Sequence, residues 1–287
     1  MMSSSSSLFS QHSRRWRENR YVYPVISRRS RGLSIGVNLS PAKQCNFRCV
    51  YCSVDRTVPG PGGAVDLRVL GTELDELLGQ LESGALWADG PLAQTPPELR
   101  RLNDVAFSGD GEPTASKEFA GAATVAAEVL GRHPAEAKLV VITNATLLHR
   151  PEVAHALDLL APHRLEVWAK LDAGTEEHYQ RIDRSGTPLH TVLANLLQAG
   201  RARDLVIQSM FVRLHGEPPP PAEIEAWLAR LADLRAGGCR ITRVQVYTSA
   251  RRTAEPFVQP LEEEPIEAIA ARVRGLGLEA ETFHSAR

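Results

Sequence analysis

From residue 31 onward the chain alternates two hydrophobic patterns. Short apolar, β-branched runs give way to polar or glycine-bearing turns, then to stretches with helical spacing. The runs place strands at Leu33–Asn38, Asp104–Ser108, Lys138–Thr143, Arg164–Leu171, Leu205–Val212 and Arg243–Tyr247, with Leu278–Phe283 as a final candidate. Several are almost wholly apolar, as parallel strands covered on both faces are. Between them, Thr72 and Asp75 mark the opening of a helix whose Leu74, Leu77, Leu78 and Leu81 share one face. Pro151 suits a first helical turn, Thr175 suits a cap before Glu176 and Glu177, and Pro221 leads into a helix that Gly237 and Gly238 stop. Pro265–Val273 reads as one more helix.

Six strands alternating with helices make an α/β chain with a parallel sheet. Six such units fall short of the eight that close a full barrel, so the expected fold is an open, partial (β/α)6 barrel of parallel strands. A doubly wound open sheet is the structural alternative. The expected organisation is a basic N-terminal arm over residues 1–31, partly disordered, followed by one domain over residues 32–287. The stretches Pro59–Gly63, Gly90–Pro97 and Gly216–Pro221 read as loops inside that domain.

Composition narrows the function classes. The formal net charge is −1, so the chain as a whole exerts no pull toward nucleic acid or membrane. No apolar run approaches the roughly 18 residues of a membrane span, and the serine-rich start lacks the apolar core of a secretion signal. Locally, Arg14-Arg15-Trp16-Arg17-Glu18-Asn19-Arg20, continued by Arg28, Arg29 and Arg31, forms a basic arm with an interleaved aromatic. Such an arm can track a phosphate backbone, or can equally be a solvated tail or a strap.

Three of the four cysteines fall within eight residues, in the loop after the first strand: Cys45-Asn-Phe-Arg-Cys49-Val-Tyr51-Cys52. Disulfide frameworks spread their cysteines through small chains, so this usage points to metal binding in a reducing, cytoplasmic compartment. Three local thiolates can hold an iron–sulfur cube and leave one iron open to a ligand. Structural zinc, with Cys239 or a histidine as fourth ligand, is the plainer alternative, but no second cysteine pair is present.

The Cys-x3-Cys-x2-Cys spacing with an aromatic before the last cysteine resembles the signature of the radical S-adenosylmethionine (SAM) superfamily. That resemblance implies a [4Fe–4S] cluster on Cys45, Cys49 and Cys52, with SAM as the second cofactor and Tyr51 near its adenine. It also implies one-electron cleavage of SAM to a 5′-deoxyadenosyl radical that abstracts hydrogen, and a one-electron donor such as flavodoxin or ferredoxin. A second motif follows the strand ending at Phe107: Ser108-Gly109-Asp110-Gly111-Glu112-Pro113-Thr114. It is similar to the Gly-Gly-Glu loop that in this superfamily binds the methionyl ammonium, with Asp110 set between the two glycines. Glycines let backbone approach a ligand closely, and a carboxylate suits an amine; whether Asp110 or Glu112 takes that part stays open. Asn144, ending the third strand, stands where the superfamily often makes polar contacts to SAM or substrate.

Across most of residues 32–256 the chain also resembles bacterial iron–sulfur proteins related to archaeal tRNA 4-demethylwyosine synthase. That likeness implies tRNA as a candidate substrate, and a lysine that condenses with pyruvate; Lys170, and after it Lys43, are the candidates here. Lys170 and Asp172 project to one face of an extended segment, where an ion pair is the alternative reading. The tRNA enzyme's second cysteine triad has no counterpart in this sequence. An activating enzyme for a glycyl-radical protein, or an iron–sulfur or SAM sensor without turnover, are the other readings.

Overall fold

The computed structural model describes residue 14, residues 16–134 and residues 136–285. The chain falls into two compact units, each assembled from separate stretches. The first takes the chain up to Gln44 together with Pro59–Val141 and Pro151–Leu165. The second takes Cys45–Val58, Ile142–Arg150 and the chain from Glu166 on.

In the first unit, β1 (Val22–Ser27) pairs antiparallel with β2 (Gly32–Val37), and β2 pairs in parallel with β3 (Leu102–Phe107). Strand β3 pairs in parallel with β4 (Lys138–Thr143). All six residues of β2 are buried, which accounts for its near-continuous apolar run. The helices are α1 (Leu67–Glu82), α2 (Phe119–Leu130) and α3 (Pro151–Leu160).

Helix α1 starts five residues before Thr72. Asp66 is its cap, accepting the backbone N–H groups of Arg68 and Val69, and Leu70 joins Leu74, Leu77 and Leu78 on the buried stripe. Asp75 has other work: it accepts from Arg132 at 2.9 Å and lies 3.2 Å from His133.

The segment expected to be a basic arm contains structure. Residues 1–13 and Arg15 lie outside the described residues, but Trp16 and Tyr21 are buried. The Glu73 carboxylate accepts the backbone N–H groups of Arg20, Tyr21 and Val22 at 2.7, 2.9 and 3.0 Å. Alternating apolar residues then make β1, and Arg28, Arg29 and Arg31 occupy the turn between β1 and β2. The basic stretch is thus divided by a strand.

In the second unit, the parallel order is β5 (Glu166–Lys170), β6 (Leu205–Met210), β8 (Ile241–Tyr247) and β10 (Ala280–Phe283). Strand β6 ends two residues early. The chain then forms β7 (Val212–Leu214), which pairs antiparallel with β9 (Val258–Pro260). The helices are α4 (Glu176–Ile182), α5 (Leu189–Ala202), α6 (Pro221–Ala236) and α7 (Glu263–Gly275).

Helix α4 is capped where the sequence placed its cap, with the Thr175 hydroxyl accepting from the His178 N–H. Glu223 of α6 fixes that cap from behind. Its carboxylate accepts the N–H of Gly174 at 2.5 Å and the Thr175 hydroxyl at 2.5 Å. Trp227 donates its ring N–H to the Leu171 carbonyl at 2.9 Å. The segment leaving β5, which carries Asp172, is therefore held at several points.

Candidate functional site

The cysteine loop belongs to the second unit and is tied to it by its backbone. Arg48 and Val50 donate their N–H groups to the carbonyls of Asp183 and Ile182, at 3.0 and 2.8 Å, and Ala254 donates to the Cys52 carbonyl at 2.8 Å. Phe47, Val50, Tyr51 and Val54 are buried, and Phe47 packs edge-on against Tyr179 with ring centroids 5.7 Å apart. With those side chains committed to the core, Cys45, Cys49 and Cys52 are left half-buried.

Each thiol has a polar environment. The Phe47 N–H donates to the Cys45 sulfur at 3.4 Å, and Arg56 donates to the Cys52 sulfur at 3.5 Å. Arg56 also hydrogen-bonds to Cys45. Burial, followed by the Asp183 carboxylate, pushes the Cys49 thiol well above its ordinary pKa, with Lys170 opposing. Among the described residues, no three Cys, His, Asp or Glu side chains converge tightly enough to hold a single metal ion. Three part-exposed thiols on one short loop, with Arg56 beside two of them, match the donor set of a three-cysteine iron–sulfur cluster. Cys239 takes no part: it is buried, its thiol faces the Leu196 carbonyl at 3.6 Å, and burial raises its pKa to about 11.

Beside the loop lies a buried ionic network. The Tyr51 hydroxyl is 2.5 Å from Asp172 and 2.9 Å from Asp183. One phenolic proton cannot serve two carboxylates. Burial and then Asp172 push the Asp183 carboxyl well above the usual range, with Lys170 opposing. Burial and the same two aspartates likewise raise the Tyr51 phenol. Lys170 pairs with Asp172 at 3.0 Å and donates to the Tyr247 hydroxyl at 2.8 Å. Its ammonium stands 4.9 Å from the centroid of the Tyr51 ring. Burial works against the Lys170 charge, but Asp172, Tyr247 and Cys49 outweigh it and keep the ammonium charged.

Asn144 is buried, and its amide donates to Asn46 Oδ1 at 2.7 Å, while Asn46 donates to the Thr146 hydroxyl at 2.6 Å. Asn195 supports this turn from α5 by donating to the carbonyls of Ala145 and Thr146.

The Ser108–Glu112 loop lies in the first unit, directly after β3. Its glycines are required by the protein's own neighbouring atoms: a Cβ on Gly111 would sit 1.9 Å from the Gln44 backbone carbonyl, and one on Gly109 would strike the Asn38 side chain. Asn38 donates to Asp110 at 2.7 Å and accepts the Asp110 N–H at 3.1 Å. Arg14 adds an ion pair to Asp110 at 3.0 Å. Glu112 is buried and caps its own turn, accepting the Thr114 N–H and hydroxyl. Tyr23 donates to the Ser108 carbonyl at 3.3 Å. Asp110 is thus the more exposed of the two carboxylates.

Arg56, Asp183, Asn38 and Asn46 are among the contributors that escaped the sequence reading. Asn38, a polar end to an apolar strand, and Asn46, inside the cysteine motif, carried a local signal. Asp183 carried none.

Solved structures with this arrangement of strands and helices identify the architecture. A radical SAM methyltransferase from Sphaerobacter thermophilus superposes over 91% of this chain and 68% of its own, with a TM-score of 0.61 at 13% identity. The fold is that of radical SAM enzymes. SuiB of Streptococcus suis, in a structure bound to S-adenosylmethionine, covers 86% of this chain and 50% of its own at a TM-score of 0.56 and 13% identity. TYW1, solved with a lysine–pyruvate adduct, covers 96% of this chain and 82% of its own at a TM-score of 0.52 and 15% identity. The radical SAM partial barrel of mostly parallel strands is therefore the architecture, and the doubly wound alternative is set aside.

No family model matches the sequence. Among curated proteins, GTPase Obg of Brachyspira hyodysenteriae is 24% identical over 164 residues, 56% of this chain and 20% of its own length. The UPF0026 protein of Methanocaldococcus jannaschii is 26% identical over 170 residues, 56% of this chain and 43% of its own length. A UPF0026 protein of Helicobacter pylori is 54% identical over 37 residues. The match thus spans a fifth of the first relative and less than half of the second. No Gly-Lys pair occurs in this sequence, so it lacks the phosphate-cradling motif of P-loop GTPases.

Proposed function

We propose that this chain is a radical SAM enzyme that holds a [4Fe–4S] cluster on Cys45, Cys49 and Cys52. The observation that carries this reading is the set of three half-buried thiols on one anchored loop, in a chain with the radical SAM fold. With cluster and SAM bound, the chemistry supplied is one-electron cleavage of the sulfonium to methionine and a 5′-deoxyadenosyl radical, which takes hydrogen from a substrate.

The chain's own residues divide the remaining work. Arg56 and Lys170 offset the negative charge of the thiolates. Asn144 braces the cysteine loop through Asn46. Asp110, less buried than Glu112, is the carboxylate assigned to the SAM ammonium. Glu112 shapes the loop from within. Lys170 acts as a fixed positive charge, because condensation with a carbonyl would require it to shed a proton that Asp172 and Tyr247 stabilise.

For the substrate, the reading is a modified tRNA base, on the resemblance of most of residues 32–256 to bacterial iron–sulfur proteins related to tRNA 4-demethylwyosine synthase. A flavodoxin or ferredoxin is the proposed electron source. The test is anaerobic reconstitution with iron and sulfide, then reductant and SAM. About four irons per chain and release of 5′-deoxyadenosine are expected. Iron loading and SAM binding without cleavage would replace the enzyme by a sensor.

A further inference from the structure

Arg56 lies four residues beyond the last cysteine of the motif, outside the spacing that marks the cluster ligands. Its guanidinium nonetheless reaches back to two of the three thiols, hydrogen-bonding to Cys52 at 3.5 Å and to Cys45. The connecting turn is fixed locally. Asp55 accepts both the N–H and the hydroxyl of Thr57, at 2.9 and 2.6 Å, which sets the backbone on either side of Arg56. Arg56 is half-buried, so its charge is only partly screened by solvent.

We infer that Arg56 tunes the reduction potential of the cluster by donating hydrogen bonds and positive charge to the Cys45 and Cys52 sulfurs. The inference rests on the proposed cluster. A cluster held on these thiolates would, on one-electron reduction, place part of the added negative charge on the Cys45 and Cys52 sulfurs. A donor forked across two sulfurs stabilises the added charge more than it stabilises the oxidised state, so it raises the potential. Arginine suits the position because its guanidinium stays protonated and presents several N–H groups in fixed directions. Cys49, the remaining thiol, has the Lys170 charge acting on it instead. The two cations thus act on different members of the triad. Arg56 is a positioning residue here: it touches ligand sulfurs, and its effect on SAM cleavage passes through the ease of reducing the cluster.

The experiment compares reconstituted wild type, Arg56→Gln and Arg56→Lys by anaerobic optical redox titration with dithionite, after iron and sulfide per chain have been measured. Glutamine removes the charge and the fork, whereas lysine keeps the charge. The expected result is a lower midpoint for Arg56→Gln, by at least a tenfold change in the reduced-to-oxidised ratio (59 mV for one electron), with Arg56→Lys between it and wild type. Midpoints equal to wild type in both variants, or shifted upward, overturn the inference. If Arg56→Gln takes up no iron, the Arg56→Lys titration decides: a lowered midpoint supports the inference and an unchanged one overturns it. Wild type that forms no cluster would instead defeat the proposed function, so the two failures are distinct.

Discussion

The side-chain amide of Asn144 donates to Asn46 Oδ1 at 2.7 Å, so the turn that ends β4 grips the residue next to Cys45. This bond fastens one end of the cysteine loop, while the backbone bonds of Arg48 and Val50 fasten its middle. Replacing Asn144 by alanine removes the grip and leaves Asn46 short of a donor. The expected cost is about 1–2 kcal/mol of stability, together with a lower iron content after reconstitution. A thermal melt and an iron assay on the same preparation read both. Unchanged iron with a lowered melting temperature would confine Asn144 to folding.

Lys170 and Asp172 form a largely buried pair, and the Asp172 side chain is fully inaccessible. Lys170→Met leaves that carboxylate without its counter-charge, at an expected cost of about 3 kcal/mol. The double variant Lys170→Met/Asp172→Asn should recover much of the loss, because it removes the stranded charge. Urea unfolding of the single and double variants measures this. A single variant as stable as wild type would contradict the assignment.

Burial, and then Asp172, hold the Asp183 carboxyl pKa well above the unfolded value of about 3.9. A raised carboxyl pKa means that the folded state binds the proton more tightly. Its contribution is therefore complete below the unfolded pKa and declines as pH rises toward the folded value. Asparagine at 183 keeps an oxygen that can accept from the Tyr51 hydroxyl but does not titrate. Asp183→Asn should lose less stability than wild type as pH rises above the unfolded carboxyl pKa of about 3.9, in denaturant titrations of the apoprotein. Equal slopes would mean that the Asp183 carboxyl is not raised in the folded state.

Asp110 and Glu112 should separate by phenotype. Asp110→Asn removes the charge assigned to the SAM ammonium and should weaken SAM binding about tenfold or more, with little change in melting temperature. Glu112→Gln removes an internal cap from a buried turn and should lower stability first. Equilibrium dialysis with labelled SAM on the reconstituted protein distinguishes them. The reverse pattern would exchange the two roles.

Much of this molecule could be read locally. Strand β4 has the bounds its apolar run implied, and Thr175 caps α4 as its acidic followers suggested. The cysteine triad stood out because ligand spacing on a short loop is a property of sequence itself. What escaped depends on partners distant in the chain. The strand in the basic stretch became visible only with β2 beside it and Glu73 gathering three backbone N–H groups. Asp66 displaced the expected start of α1 because a cap acts on N–H groups two and three residues ahead, and Asp75 was already engaged by Arg132. Asp183 reaches Tyr51 across 132 positions of sequence, and no periodicity encodes such a contact.

The most direct test of the central claim is the iron content and 5′-deoxyadenosine yield of wild type, Cys49→Ala and Cys239→Ala, reconstituted side by side without oxygen. Cys49→Ala should lose both, because a ligand of the cube is gone. Cys239→Ala should keep both, because that thiol is packed against α5. Iron that fell equally in the two variants, or wild type that bound one zinc in place of iron and sulfide, would contradict the account.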